Sequence, residues 1–161
     1  MSRLAVKVAR RVVEASRRVV KSSRLDVETL CAFRMIEVVN RQRRLPMDCE
    51  RWRAFVAKAL RVVPARGAGV TVAFVSDRAM RELNRRWRGR RGTTDVLSFP
   101  VDATGPAAGP RELGDVVVCA SQASDELEAV VHGVLHLCGY DHETDAGEML
   151  ALQSRVMDAL R

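Results

Sequence analysis

Apolar and polar positions recur along this chain with two periods, and each period marks a type of element. Ile36-Glu37-Val38-Val39-Asn40 reads as a strand, followed by a basic turn at Arg41, Arg43, Arg44 and Pro46. Trp52, Phe55, Val56 and Leu60 then recur at helical spacing, so a helix capped by Asp48 is predicted to run to about Arg61. Pro64 and Gly67-Ala68-Gly69 break the chain. Val70–Val75 is a short β-branched run and reads as a buried strand. Ser76 caps a second helix with Met80 and Leu83 inward, and Gly89 and Gly92 mark the loop after it. Val96–Phe99 is a strand stopped by Pro100, and Asp102–Pro110 a surface loop rich in Gly and Pro. Asp115–Ala120 is a further strand. Ser124 begins a helix through Val130, Val131, Val134 and Leu135. Asp145, with Glu148 completing a capping box, opens a last helix with Met149, Leu152, Val156 and Leu160 inward. Strands and helices interleave, which predicts an α+β fold: a four-stranded mixed sheet packed with helices, in a single domain.

Composition narrows the class. A length of 161 residues suits one domain, and 47% hydrophobic with 29% charged residues excludes a disordered chain. No apolar run approaches the roughly 18 residues of a membrane span. The cysteines (Cys31, Cys49, Cys119, Cys138) form no CxxC pair, which reads as reduced thiols and a cytoplasmic protein.

The charge is unevenly spread. Residues 1–94 hold 24 Lys and Arg against 8 Asp and Glu, whereas residues 95–161 hold 3 against 12. A basic front half suits a polyanionic partner, nucleic acid first. Residues 1–34 carry 9 basic and 3 acidic residues, and Arg10-Arg11-Val12-Val13 recurs as Arg17-Arg18-Val19-Val20. Three readings of this extension are open. It is a basic amphipathic arm for RNA or a membrane surface, a transit peptide that would make the protein mitochondrial, or sequence translated from upstream of a later start at Met35. The expected boundaries are an extension at 1–34 and a folded domain at 35–161.

The chemistry concentrates in eleven residues. His132, His136 and His142 are the three histidines of the chain. The first two lie four apart on a predicted helix, which puts both imidazoles on one face. Gly139 can stop that helix and let the chain turn, so that His142 returns to the same point. Three protein ligands with a fourth position open describe a catalytic zinc site, with one Zn²⁺ per chain. An ion so held lowers the pKa of its water to about 7. The spacing overlaps the metzincin pattern H-E-x-x-H-x-x-G-x-x-H, which makes a zinc peptidase a rival. The glutamate that serves there as general base is Gly133 here, and glycine accepts no proton.

A second group is cationic. Arg85, Arg86, Arg88, Arg90 and Arg91 place five guanidinium groups in seven residues, and guanidinium matches phosphate oxygens bidentately. A solvated basic loop is the plainer reading. Trp87 reads as core more readily than as a base-stacking platform. Asp141 orients a ligand histidine, relays a proton from the zinc water, or caps a turn. Asp95 and Asp115 fall at predicted strand ends, where turn chemistry suffices. Cys138 reads as apolar filler rather than a fourth ligand.

His132–His142 resembles the H-G-x-L-H-L-x-G-Y-D-H signature of the YbeY endoribonuclease family, the bacterial rRNA maturation factors. Asn40-Arg41-Gln42, Leu83-Asn84 with Trp87-Arg88-Gly89, Thr94-Asp95-Val96-Leu97-Ser98-Phe99-Pro100 and Leu113-Gly114-Asp115-Val116-Val117 resemble further family stretches, in family order. The resemblance implies a metal-dependent, single-strand-specific RNase of 16S rRNA 3′-end processing and ribosome quality control, with rRNA and the small ribosomal subunit as partners. It carries the zinc ligands onto His132, His136 and His142 and a cleft arginine onto Arg88, with Arg85, Arg86, Arg90 and Arg91 left to hold RNA backbone. Two features depart from the pattern: the extension 1–34, and a shorter span between Cys119 and His132. A non-catalytic, zinc-containing rRNA-binding assembly factor is the alternative from another class.

Overall fold

The computed structural model describes residues 35–63, 65, 68–101 and 111–160. The extension 1–34, Cys31 and the loop 102–110 lie outside the described residues. Among those described are four strands, β1 (Ile36–Asn40), β2 (Gly69–Phe74), β3 (Val96–Pro100) and β4 (Glu112–Val118). Four helices accompany them: α1 (Cys49–Val62), α2 (Asp77–Arg88), α3 (Glu126–Leu137) and α4 (Glu148–Leu160). The strands form one sheet in the order β1-β2-β4-β3. β1 pairs β2 and β2 pairs β4 in parallel, and β3 runs antiparallel to β4 along the edge. The α+β architecture with a four-stranded mixed sheet is therefore the one the periodicity predicts.

Side chains alternate across a strand, and here both faces of the sheet are covered. Ile36, Val38, Val70, Val72, Phe74, Val116 and Val118 face α1, α3 and α4. Val39, Ala73, Leu97, Val117 and Cys119 face the other way, onto Met80 of α2. Burial on both faces explains why β2 reads as a continuous apolar run rather than an alternating one.

The predicted caps hold at two helices. The Asp48 carboxylate accepts from the Glu50 and Arg51 amides, and the Ser76 hydroxyl accepts from the Ala79 amide. Elsewhere the boundaries differ. Pro100 belongs to β3, opposite Gly114, because β3 is an edge strand and proline is tolerated there. β4 begins at Glu112, earlier than predicted, since Gly114 continues the pairing to both neighbours instead of breaking it. Asp115 accordingly sits inside β4 rather than at its end. Asp125, not Ser124, caps α3, accepting from the Leu127 and Glu128 amides. α4 starts at Glu148, three residues past the predicted cap. Asp145 spends its two oxygens on the Gly147 and Met149 amides, and Glu148 accepts from Ala146 instead of closing a box on Asp145.

Candidate metal centre

α3 is buried nearly all round. From Ala129 to Leu137 only His132 and His136 escape full burial. They lie one turn apart, with Glu128 a further turn back. Gly133, between them, packs against the sheet: a Cβ there would meet Val116 Cγ1 at 2.5 Å, Val96 Cγ2 at 3.1 Å and Ser98 Oγ at 3.2 Å. The Ser98 hydroxyl donates to the Gly133 carbonyl at 3.0 Å. The glycine that breaks the metzincin pattern is thus the contact that seats the ligand helix on β3 and β4, and no glutamate fits there.

The turn after α3 brings in the third histidine. Gly139, at φ 93°, takes the left-handed conformation, and its amide donates to the His136 carbonyl while that of Tyr140 donates to Leu135. This paired pattern is a Schellman termination. The Asp141 carboxylate then accepts from the Glu143 amide, and its carbonyl from Thr144 and Asp145. Of the three roles open to Asp141, turn capping is the one its hydrogen bonds display.

The three imidazoles form a near-equilateral triangle with ring centroids 4.8, 5.0 and 5.3 Å apart. One ligand atom from each lies within 4.8 Å of the others, and no other such group of three His, Cys, Asp or Glu forms among the described residues. The Nε2 atoms of His132 and His136 are 3.1 Å apart. Two nitrogens on a tetrahedral zinc at ordinary bond lengths would be about 3.3 Å apart. The outer ring nitrogens of His132 and His136 are occupied. Nδ1 of His132 donates to Gln153 Oε1 at 2.9 Å, and Nδ1 of His136 to the main-chain carbonyl of Tyr140 at 3.0 Å. Both Nε2 lone pairs are therefore turned toward the shared point. Burial first, and the neighbouring His132 second, push the pKa of His136 down, favouring the neutral form a metal requires. The donor set fits one divalent ion held by His132, His136 and His142.

Gln153 and the Tyr140 carbonyl are the two groups the sequence reading missed. A buried glutamine four residues after Met149, on the inward face of α4, was the available signal for the first. The second, a main-chain atom, leaves none.

The arginines lie elsewhere. α2 covers the opposite face of the sheet, and its last turn reaches the edge strand β3, where Trp87 meets Phe99 edge-on at 6.1 Å. Trp87 is half-buried there, in keeping with a core reading, with the Arg86 guanidinium over its ring. Arg85 is held by both oxygens of Glu82. Arg88, Arg90 and Arg91 are exposed, and no ion pair joins them to another described residue. No hydrogen bond joins Arg88 to the histidine group among the described residues. The Asn84 amide donates to the Gly92 carbonyl and ties this loop to α2. Cys49, Cys119 and Cys138 are free thiols, and burial pushes Cys138 up, so it stays a protonated filler beside the site.

The family model described as Endoribonuclease YbeY matches residues 37–161. The chain is 41% identical over 130 residues to the Endoribonuclease YbeY of Acidothermus cellulolyticus, covering 66% of this chain and 78% of that one. With that of Syntrophus aciditrophicus it shares 32% over 133 residues, 74% and 83% of the two chains. The solution structure of TM1509 from Thermotoga maritima matches with a TM-score of 0.50 at 27% identity, covering 78% of this chain and 89% of that one. By its matched span and by these relatives, the chain belongs to the YbeY endoribonuclease family.

Proposed function

We propose that this protein is a zinc-dependent, single-strand-specific endoribonuclease that matures the 16S rRNA 3′ end and serves ribosome quality control in the cytoplasm, with the small ribosomal subunit as its partner. Family membership supports the endoribonuclease role in rRNA maturation. The convergence of three imidazoles, two of them with their outer nitrogens already engaged, carries the metal dependence.

A zinc ion held by His132, His136 and His142 supplies Lewis acidity and water of lowered pKa. The rest falls to the chain. Arg88 orients the scissile phosphate and meets the negative charge that grows on it. Arg90 and Arg91, with neither the carboxylate that holds Arg85 nor the ring beneath Arg86, grip flanking phosphates without reading sequence. β3 lies between the helices that carry the two groups, with Val96 and Ser98 toward α3 and Leu97 and Phe99 toward α2. A single strand crossing that edge would touch both. Gly133 removes the general base a peptidase needs, and its tight seat leaves no room to restore one.

The test is cleavage of a precursor rRNA 3′ end by protein stripped with chelator and then reconstituted with zinc. Cleavage should vanish on stripping and return with zinc. The His136→Ala chain should retain little zinc and lose activity by about 10³-fold or more, as expected when several kcal/mol of metal assistance are removed. Undiminished cleavage by stripped protein refutes the metal role. Zinc binding and RNA binding without cleavage would favour the assembly-factor reading.

A further inference from the structure

We infer that Gln153 is a positioning residue of the metal centre, acting with Glu128 to select the ring tautomer of His132. The inference rests on the reading of the three histidines as a metal site. Gln153 is the side chain of α4 that reaches the histidine face, and it is 8% exposed. Its Oε1 lies 2.9 Å from His132 Nδ1, and its Nε2 donates to Glu128 Oε1 at 2.8 Å.

An amide has one donating end and one accepting end, and the carboxylate of Glu128 decides which faces where. A carboxylate only accepts, so the NH₂ group must face Glu128. The carbonyl oxygen must then face His132, and a carbonyl accepts only from N–H. Nδ1 of His132 is thereby held protonated and Nε2 left with its lone pair, 3.1 Å from Nε2 of His136. Glu128 stands one helical turn before His132 on α3, so the chain Glu128–Gln153–His132 also pins α4 to the ligand face of α3. The ligand is thus oriented by a neutral amide whose direction is set by a surface charge. Removing either partner frees the ring to take the other tautomer, which places a proton where the ion should bind.

Zinc affinity can be measured by chelator competition near pH 7 on the full chain and on Gln153→Met, Glu128→Gln, Gln153→Glu and the exchange E128Q/Q153E. Methionine keeps the volume and apolar packing of the buried stem. Gln153→Met should weaken zinc binding roughly 10–100-fold. Glu128→Gln should weaken it less. Gln153→Glu alone sets two carboxylates against each other and should also bind weakly. The exchange restores the whole chain of hydrogen bonds, now with a carboxylate accepting from His132, and should recover wild-type affinity or better. A purely structural role for Gln153 would show no such rescue. Two-bond ¹H–¹⁵N spectra of the metal-free wild-type chain give a readout free of any variant, and should show His132 protonated at Nδ1. Affinity of Gln153→Met within about twofold of wild type, failure of the exchange to rescue, or His132 protonated at Nε2 would each overturn the inference. Zinc binding unaffected by His136→Ala would instead remove the metal reading beneath it, a failure recognisable because it concerns His136 and not Gln153.

Discussion

On one face of the sheet, α1, α3 and α4 bury Val70, Val72, Phe74, Val116 and Val118, and each outer nitrogen of His132 and His136 has a fixed partner. On the other, α2 is the helix that lies over Ala73, Val117 and Cys119 among the described residues, and it ends in exposed arginines. On the proposed function, the contrast follows from what each side would hold. A metal ion tolerates little error in ligand position, and two of the three histidines sit on a helix seated in the core, the third on the short turn that ends it. A phosphate is gripped by charge over a wider range of geometry, and an arginine on an exposed helix end can follow it.

If the two faces act separately, Arg88→Ala keeps its zinc but loses about 10²–10³ in cleavage rate, the effect of removing one oriented donor to the transition state. Elemental analysis beside single-turnover assays checks this, and loss of zinc together with activity would break the separation.

Gly133→Ala should damage the metal face through its packing. The added methyl meets Val116 Cγ1, a stiff β-branched side chain, and such overpacking costs about 1–3 kcal/mol. The better helix propensity of alanine returns up to about 1 kcal/mol of that. A lowered melting temperature with weakened zinc binding is expected. An unchanged melt would show that α3 has slack.

On the arginine face, neutralisation should sort the cluster by its partners. Replacing Arg90 and Arg91 by Gln should flatten the dependence of log RNA affinity on log salt by roughly 0.7 per residue. Replacing Arg85 and Arg86 should do less, because Glu82 and the Trp87 ring already engage them. Equal effects from both pairs would mean that these partners yield to RNA.

The smallest effect concerns how α2 is fastened. Asp77 accepts from the Ser121 hydroxyl, the Cys119 thiol and Gln122, with Arg44 at 4.0 Å from its other oxygen. The Ser121 hydrogen bond, then that of Cys119, holds its pKa below the usual carboxylate range. A carboxylate with a depressed folded pKa stabilises above its unfolded pKa of about 3.9, and the gain is lost as pH falls through the folded value. Asp77→Ala should therefore melt lower than the parent at neutral pH and converge with it in strong acid. A gap that persists in acid would assign the loss to packing.

Much of this was legible in the residues. β1, β2 and the caps at Asp48 and Ser76 follow from β-branched runs and polar cap residues, which act locally. Pairing decides what local patterns cannot. Pro100 and Gly114 look like breaks along the chain, yet both are strand residues because of which neighbours they face. The histidine group was visible because its spacing on α3 is local and the turn at Gly139 is short. Its supports were not: Gln153 lies 21 residues from His132. The span between Cys119 and His132 is a turn closed by Gln122 and Ala123 onto the Cys119 carbonyl, ahead of a full three-turn α3.

The carbonyl of Tyr140 gives the site an unusual genetic signature. A main-chain atom orients His136, so no substitution at position 140 deletes it, and the orientation is inherited from the turn itself. Mutational sensitivity is thereby displaced by one residue, onto Gly139, whose left-handed backbone a side chain would strain. A saturation scan scored on zinc retention would find Gly139 intolerant although it offers no side chain to a metal, and position 140 permissive toward other aromatic residues.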